Sequence, residues 1–166
     1  LFTTHGELAN RLMHPSYEVK REYMARIHGE VDEAMIERLT DGVILDDGIA
    51  KFQTVKAQHA RTGDERGGSN NWFRVILAEG RTREVRRLWE SQDVEVNRLK
   101  RISYGPIELP SIVRRSEFIE LDPKQVVSLF RVVALKPPRF SEKNVYRDMR
   151  ERKEKKLRAR GDTSKR

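Results

Sequence analysis

The sequence predicts an α+β domain with a mainly antiparallel central sheet and short flanking helices. Apolar and polar residues alternate in several short stretches that turn residues connect directly, as in antiparallel hairpins. Helical periodicity occurs only in short segments between these stretches, which is typical of α+β folds. The chain has 166 residues, enough for one hydrophobic core but too few for two large domains.

The first predicted element is a short helix over residues 5–13. Thr4 and Glu7 have the spacing of a capping box ahead of the apolar residues. Pro15 then ends the segment, because proline cannot continue a helix.

The next elements are predicted to alternate between strand and helix. Residues 17–27 place apolar and charged side chains on opposite parities, which predicts a half-buried strand. Asp32 is predicted to cap a helix that ends at Gly42. The sequence VILDDG at 43–48 predicts a small strand and an Asp-Gly turn, and a longer extended stretch follows over residues 49–59.

The second half contains one clear strand and two further candidates. Residues 61–71 are polar and predict a loop, whereas alternation over residues 72–79 predicts a strand. The further strand candidates are residues 94–105 and 112–121. The Asp-Pro pair at 122–123 predicts the start of a last helix, because proline is favoured at the first helical position.

The excess positive charge is concentrated at the C-terminus. The net charge is +8, yet residues 1–135 contain equal numbers of basic and acidic side chains. Residues 136–166 contain the whole excess and few apolar residues, so we expect a flexible basic tail beyond the Pro-Pro pair at 137–138. Such a tail attracts phosphate backbones without reading their sequence. The alternative is a solvated terminus without a partner.

Composition excludes several classes of site. The chain has no cysteine and its four histidines lack ligand spacing, so we expect neither a disulfide nor a metal site. It has no apolar run of about 18 residues and no secretory signal, which predicts a cytoplasmic protein without a membrane segment. The opening LFTT, from Leu1, resembles the end of a buried strand, so we expect a fragment of a longer protein.

The stretch EGRTREVRRLWES at 79–91 predicts an arginine-rich helix. Gly80 turns the chain, and Thr82 is expected to cap a helix that begins at Arg83. Three apolar side chains share one stripe of this helix, which must be buried: Val85, Leu88 and Trp89. The opposite stripe contains Arg83, Arg87 and Glu90. Arg86 lies between the stripes, so we expect it to be the arginine with a fixed partner.

This helix also predicts an anion site. Free backbone N–H groups at its start and the helix dipole add to the side-chain charge. The alternative is a solvated face held down by the apolar stripe. The neighbouring NRLKRISYG favours binding, because it adds three cations and an aromatic ring: Arg98, Lys100, Arg101 and Tyr104. Arginines interleaved with aromatic residues are typical of sites that grip phosphates and stack bases.

Other polar residues are weaker candidates. Tyr23 lies between basic residues but on the apolar parity of its strand, so a core tyrosine is the alternative to a base-stacking one. The Asp-Asp-Gly group at 46–48 indicates a turn and not a catalytic carboxylate pair. His28 and His59 have no visible partners for general-base catalysis.

Four stretches, in the same order, resemble the RsuA-type family of ribosomal RNA pseudouridine synthases. They are LFTTHGELANRLMHPSYEVKREYMARIHGEV, GVILDDGIA, EGRTREVRRLWES and RLKRISYGPIELP, and the resemblance extends from Leu1 to about Leu121. It implies a pseudouridine-synthase-like α+β domain over residues 1–135 that isomerises a uridine in large-subunit ribosomal RNA. It further implies no cofactor, no metal, and a target base that is flipped into a cleft.

The resemblance also implies roles for individual residues. Tyr23 matches the tyrosine that stacks on the target uracil, and Arg86 matches the arginine that pairs with the catalytic aspartate. Leu99 would pack beside the flipped base. The surrounding side chains would hold the RNA: Lys20, Arg81, Arg83, Arg87, Arg98, Lys100, Arg101 and Tyr104. Ribosomal RNA is the expected partner, and we expect a monomer.

One departure from the family concerns the nucleophile. In the family the nucleophilic aspartate lies in a GRLD...T.GLL motif directly ahead of LFTT, and a small S4-type RNA-binding domain usually precedes it. We therefore expect the aspartate to precede Leu1, this chain alone to be inactive, and Arg86 to lack a carboxylate partner in an open site.

Two other functions are alternatives to the enzyme. One is a non-catalytic module that binds ribosomal RNA through the arginine-rich helix and the basic tail. A DNA-binding helix is disfavoured, because Leu88 and Trp89 would bury the helix against a sheet.

Overall fold

The computed structural model describes residues 1–58 and 70–140 of the chain. The helices are Gly6–Met13 (α1), Glu33–Asp41 (α2), Glu84–Glu90 (α3) and Pro123–Val132 (α4), with a short 3-10 turn at Pro15–Tyr17. The strands are Arg21–His28 (β1), Val43–Leu45 (β2), Gly48–Ala50 (β3), Thr54–Gln58 (β4), Asn70–Leu77 (β5), Glu95–Tyr104 (β6) and Ile107–Glu108 (β7). Most of the predicted loop at 61–71 and the tail beyond residue 140 lie outside the described residues.

The main sheet has five strands in the order β4-β5-β1-β6-β7, each antiparallel to its neighbours. β1 lies at the centre, and its Ala25 and Ile27 are fully buried on one face. Strands β2 and β3 form a separate hairpin. The predicted α+β class with a mainly antiparallel sheet is therefore confirmed. In the described part of the chain, no helix is long and apolar enough to cross a membrane.

Two hydrophobic clusters hold the helices in place. The larger cluster joins the sheet to α2 and α3, and within it Trp89 packs against Phe52 and Phe73 with ring centroids 5.8 and 5.2 Å away. The smaller cluster joins α1 and α4 to Val19 and Ile107. Complete burial of one large side chain contributes roughly 1.5–3 kcal/mol. Trp89 is fully buried, so it fixes the position of α3 on the sheet.

The first helix is present, but its cap differs from the prediction. His5 is the N-cap, and its Nδ1 accepts a hydrogen bond from the backbone N–H of Leu8 at 3.1 Å. Glu7 binds Arg11 one helical turn later, at 2.6 Å, and takes no part in a capping box with Thr4. The predicted box was wrong because the helix begins one residue later than the Thr4 spacing requires.

The central strand begins later than predicted. Pro15–Tyr17 forms a 3-10 turn, and Glu18 has a left-handed backbone with φ of 45°, so the extended strand begins only at Arg21. The predicted alternation is otherwise correct. The predicted extended stretch over 49–59 is also interrupted, because the chain leaves the hairpin after β3. Phe52 then donates its N–H to the carbonyl of Leu39 and is buried in the core.

The helices after Asp32 and Asp122 are capped as predicted. The carboxylate of Asp32 accepts from the N–H of Met35, and the chain leaves that helix at Gly42 with φ of 130°. Asp122 and Gln125 form a reciprocal capping box at the start of α4. These caps depend only on local contacts, which makes them readable from sequence.

The strand predicted at 112–121 is wrong. This segment makes isolated turns, and Ile112, Phe118 and Ile119 are 69%, 83% and 52% exposed. A strand needs a neighbour to satisfy its backbone groups. In the described sheet the position beside β6 is taken by the short strand β7, and the chain leaves the sheet after Glu108.

Candidate active site

The sheet register places Tyr23 in the middle of one face. Tyr23 lies opposite Val75 of β5 on one side and opposite Arg101 of β6 on the other. In the adjacent row Ala25 lies opposite Leu99. Tyr23 and Leu99 are both half-buried and pack against the larger hydrophobic cluster. Tyr23, Leu99 and Arg101 therefore share the face against which α2 and α3 pack.

The same register divides the predicted RNA-binding cluster of β6 between two faces. Arg98 lies opposite Arg26, and Lys100 lies opposite Met24, so both project from the face away from Tyr23. Both side chains are exposed. The sequence placed Arg98 and Lys100 together with Arg101 because they are neighbours along the chain, whereas a strand separates neighbours by side.

Arg86 is half-buried, as the helical pattern predicted, and has a fixed partner. Its Nη1 donates to the backbone carbonyl of Val96 in β6 at 2.5 Å. Within residues 1–58 and 70–140 no carboxylate lies within ion-pair distance of Arg86. A guanidinium has five N–H donors, so most of its hydrogen-bonding capacity remains free for another group.

Asp47 holds two of the other predicted arginines. Its carboxylate accepts from Arg87 at 2.7 Å and from Arg81 at 3.3 Å, and Arg81 also donates to the carbonyl of Ile49. The hydrogen bond from Arg87 is the main reason that the pKa of Asp47 is lowered. The Asp-Asp-Gly turn therefore ties the β2–β3 hairpin to α3. Arg87 is consequently half-buried, although the helical pattern placed it on the open face.

Arg83 and Lys20 remain exposed. Arg83 is the N-cap of α3 with a left-handed φ of 52°, in place of the predicted Thr82, and makes only a 3.6 Å ion pair with Glu90. Lys20 is exposed just before β1. Both cations are available to an anion in solution.

Tyr104 has a structural set of contacts. Its hydroxyl donates to the carbonyl of Leu12 at 2.7 Å. The guanidinium groups of Arg21 and Arg101 lie over its ring, 5.2 and 5.1 Å from the ring centroid. Arg101 is therefore positioned by Tyr104 on the face that contains Tyr23.

Arg21 is a buried cation that the sequence patterns did not single out. It is only 6% exposed and donates to three backbone carbonyls, those of Leu12, Val19 and Ala78. A Cβ atom at Gly80 would lie 2.7 Å from its guanidinium carbon, so a side chain there would force the guanidinium of Arg21 to shift. Arg21 thus fixes the turn that leads into α3.

Glu84 is the second buried charge that sequence analysis did not identify. It is 3% exposed, and its carboxylate accepts from the backbone N–H of Arg81 at 3.0 Å. Burial raises the pKa of Glu84, and the Arg81 hydrogen bond and the nearby Arg21 offset only part of this rise. A glutamate in the first helical turn gave no signal of burial, and the nearby Arg21 is distant from it in the sequence.

An open, mainly apolar groove of about 810 Å³ lies beside the C-terminal end of β6. Residues of α1, α4 and the segment 107–121 line it, and Arg101 and Tyr104 also contribute to its lining. Tyr23 and Arg86 are not among its lining residues. In the described part of the chain no cluster of three acidic or histidine side chains could hold a metal ion.

Comparisons with known proteins agree with the sequence motifs. A family model described as RNA pseudouridylate synthase matches residues 1–91. Proteins named ribosomal large subunit pseudouridine synthase B are 53% identical over 137 residues in Pseudomonas aeruginosa and 49% identical over 158 residues in Escherichia coli K12. These alignments cover 82% and 95% of this chain, but only 34% and 52% of those relatives.

A solved structure supports the fold. A crystal structure of a pseudouridylate synthase superposes on 76% of this chain with a TM-score of 0.64 at 19% sequence identity, and the match covers 52% of that chain. The fold is therefore that of pseudouridine synthases, although this chain spans only about a third to a half of the length of the relatives it matches. By the family match over more than half of its residues, the chain belongs to the RNA pseudouridylate synthase family.

Proposed function

We propose that this chain is part of an enzyme that converts a specific uridine of large-subunit ribosomal RNA into pseudouridine. The relatives that are 49–53% identical have names that state this substrate class. The main structural support is Arg86, a half-buried guanidinium beside the sheet whose one hydrogen-bond partner here is a backbone carbonyl.

In this proposal Arg86 binds and orients a nucleophilic aspartate supplied by a part of the protein outside this chain. A carboxylate can accept two parallel hydrogen bonds from one guanidinium, and such pairs are strong and directional. The pairing would keep the aspartate ionised and aim it at the reacting sugar. The bond from Arg86 to Val96 fixes one nitrogen of the guanidinium and leaves the others to bind.

Tyr23 and Leu99 would form the platform for the target base. Their side chains share one face of the sheet, and each is half-buried against the larger cluster, so neither can turn away. An aromatic ring on such a face can stack on a flipped uracil, and a leucine can pack against its edge. Arg101, Arg83 and Lys20 would hold the adjoining backbone, since all three are exposed cations.

The chemistry that follows is an isomerisation. The glycosidic bond from uracil N1 to C1′ of the ribose breaks, the uracil rotates, and a bond from C5 to C1′ forms. The C5 proton is lost to solvent and N1 takes up a proton from solvent, so the net change is an isomerisation. The aspartate either adds to the sugar or removes a proton from it. In both versions this chain supplies the platform and the orienting arginine.

Two arginines contribute indirectly in this proposal. Arg81 and Arg87 hold the β2–β3 hairpin through Asp47, which stabilises the helix that presents Arg86. The tail over residues 136–166 would add sequence-independent attraction for RNA, since it contains the excess positive charge of the chain.

A second function, a non-catalytic RNA-binding module, differs in what it needs from Arg86. A binder requires the exposed cations but no aspartate partner. The genomic sequence upstream of Leu1 separates the two hypotheses. An in-frame Gly-Arg-Leu-Asp motif supports the enzyme, and a start codon at this point supports the binder.

A direct experiment compares the complete protein with residues 1–166 alone. Both are mixed with a ribosomal RNA transcript that contains uridine tritiated at C5, and the tritium released to water is counted. We expect release by the complete protein only. No release by the complete protein on large-subunit RNA, with tight binding retained, would favour the binding module.

A further inference from the structure

We propose that the sheet face opposite Tyr23 binds the phosphate backbone of structured RNA that flanks the target uridine. This basic sheet face consists of two adjacent rows of residues across β4, β5, β1 and β6: Gln58, Trp72, Arg26 and Arg98, then Lys56, Arg74, Met24 and Lys100. The inference rests on the proposed function, because it takes RNA as the partner.

The basic sheet face is a local concentration of charge. Five of its eight residues are cations and none is acidic. Residues 1–135 as a whole contain equal numbers of basic and acidic side chains, so this excess is not a general property of the domain. Lys56, Arg74, Arg98 and Lys100 are exposed, and Arg26 is half-buried.

Two pairs of like charges lie directly opposite each other on this face. Arg26 faces Arg98 across β1 and β6, and Lys56 faces Arg74 across β4 and β5. Directly opposed like charges destabilise a sheet. Glu22 offsets the charge of the Lys56–Arg74 pair, whereas no described carboxylate forms an ion pair with Arg26 or Arg98. A bound polyanion removes the repulsion, which makes phosphate the matching ligand chemistry.

Among the described residues, one carboxylate offsets part of the charge of this face, because Glu22 pairs with Arg74 and also attracts Lys56. Glu22, in the adjoining row, binds Arg74 through both carboxylate oxygens, and this hydrogen bonding is the main reason that the pKa of Glu22 is lowered. The other four cations form no ion pair with any described residue. The Nε of Arg26 is buried and has no hydrogen-bond partner among the described residues.

The size and position of the face fit an RNA backbone. Strands lie about 4.8 Å apart, so four strands place cations across about 14 Å, in two rows about 7 Å apart. Strand β6 contributes to both faces, with Leu99 and Arg101 beside Tyr23 and with Arg98 and Lys100 on the basic sheet face. A folded RNA whose uridine enters beside Tyr23 can therefore continue past the sheet edge onto these cations, with affinity that does not depend on base sequence.

The test uses the complete protein and two triple variants with equal loss of charge. The first replaces three exposed cations of the basic sheet face with glutamine: Lys56→Gln, Arg98→Gln and Lys100→Gln. The control replaces three exposed cations elsewhere: Lys51→Gln, Lys124→Gln and Arg131→Gln. Binding is measured over a range of salt with two RNAs, a short stem-loop around the target uridine and a longer transcript that keeps the flanking helices.

We expect the first variant to bind the long transcript on the order of tenfold more weakly than the unaltered protein. The slope of log K against log salt concentration should also become less steep by about 2, because each phosphate contact contributes about 0.7–0.9 to that slope. We expect its binding to the short stem-loop to equal that of the control. Equal slopes for both variants on the long transcript would overturn the proposal, and so would equal losses on both RNAs, since the cations would then act at the uridine itself.

The proposal and the proposed function fail separately in this design. If the unaltered protein forms pseudouridine but the two triple variants have equal salt slopes, RNA binding by the basic sheet face is rejected and the proposed function stands. If substitutions on the basic sheet face reduce the salt slope but the unaltered protein forms no pseudouridine, RNA binding by this face is supported and the proposed enzymatic function is rejected.

Discussion

Arg87 donates to the carboxylate of Asp47 at 2.7 Å, whereas Arg86, the preceding residue, donates to the carbonyl of Val96 in β6. Adjacent arginines on one helix thus have partners of different kinds. The first is neutralised within the described structure, and the second keeps donors for a group beyond it. This difference is the reason that we propose Arg86, among the arginines of α3, as the partner of a nucleophilic aspartate.

Replacement of Asp47 should loosen the β2–β3 hairpin. Asp47→Asn removes the charge that Arg81 and Arg87 share, so we expect a lower urea midpoint than for Asp46→Asn, whose side chain makes neither bond. Because the pKa of Asp47 is lowered from 3.8, its contribution is present above that pH and is lost as the pH falls through the lower folded-state value. The midpoint difference should therefore be present at pH 7 and shrink at pH 3. Identical midpoints at pH 7 would contradict the clamp.

Replacement of Glu84 should act with the opposite pH dependence. Burial raises the pKa of Glu84 above 4.5, so its ionised form costs stability as the pH rises through that region. Glu84→Gln keeps an oxygen that can accept from Arg81 and removes the charge. We expect the stability of this variant relative to the parent to increase between pH 4.5 and 7, measured by urea unfolding. A difference that is constant over this range would contradict the raised pKa of Glu84.

Gly80 should be intolerant of a side chain. Gly80→Ala places a Cβ against the buried guanidinium of Arg21, and such overpacking costs typically about 1–3 kcal/mol. The matched control is Gly6→Ala, since nothing lies within 4 Å of a Cβ there. Thermal unfolding should show a loss for Gly80→Ala and no loss for Gly6→Ala. Equal stability of the two variants would mean that Arg21 is not fixed against the turn.

The segment 112–121 should tolerate polar substitutions. Phe118 is 83% exposed, so Phe118→Ser should change the free energy of unfolding of this chain by less than about 0.5 kcal/mol. Phe73→Ala in the core of β5 should cost about 3–5 kcal/mol. A large loss of unfolding free energy in Phe118→Ser would contradict the exposed position of this side chain.

The sequence predicted those parts of the fold that depend on local contacts. Asp32 and Asp122 cap their helices through side chains three residues away, and alternation over β1 and β5 reports which face is buried. The segment 112–121 has similar apolar content but no strand beside it. Strand propensity cannot supply a hydrogen-bonding partner, so that prediction was wrong.

The candidate site was predictable only where helical periodicity applied. The pattern around Trp89 placed Arg86 at the boundary of the buried stripe, and the structure shows it half-buried there. The pattern missed Arg21, one of whose carbonyl partners, Ala78, is 57 residues away, and it missed Asp47, 40 residues away, as the partner of Arg87. Such contacts between residues distant in sequence require the assembled sheet.

The most direct test of the account is the behaviour of Arg86 in the complete protein. Tritium release from C5-tritiated ribosomal RNA is measured in single turnover for the parent, Arg86→Ala and Arg86→Lys, and the Kd for the RNA is measured in parallel. We expect Arg86→Ala to reduce the rate at least about 100-fold with nearly unchanged Kd, and Arg86→Lys to retain part of the rate, because lysine keeps the charge but not the paired hydrogen bonds. Normal turnover with weakened RNA binding in Arg86→Ala would contradict the role assigned to this residue.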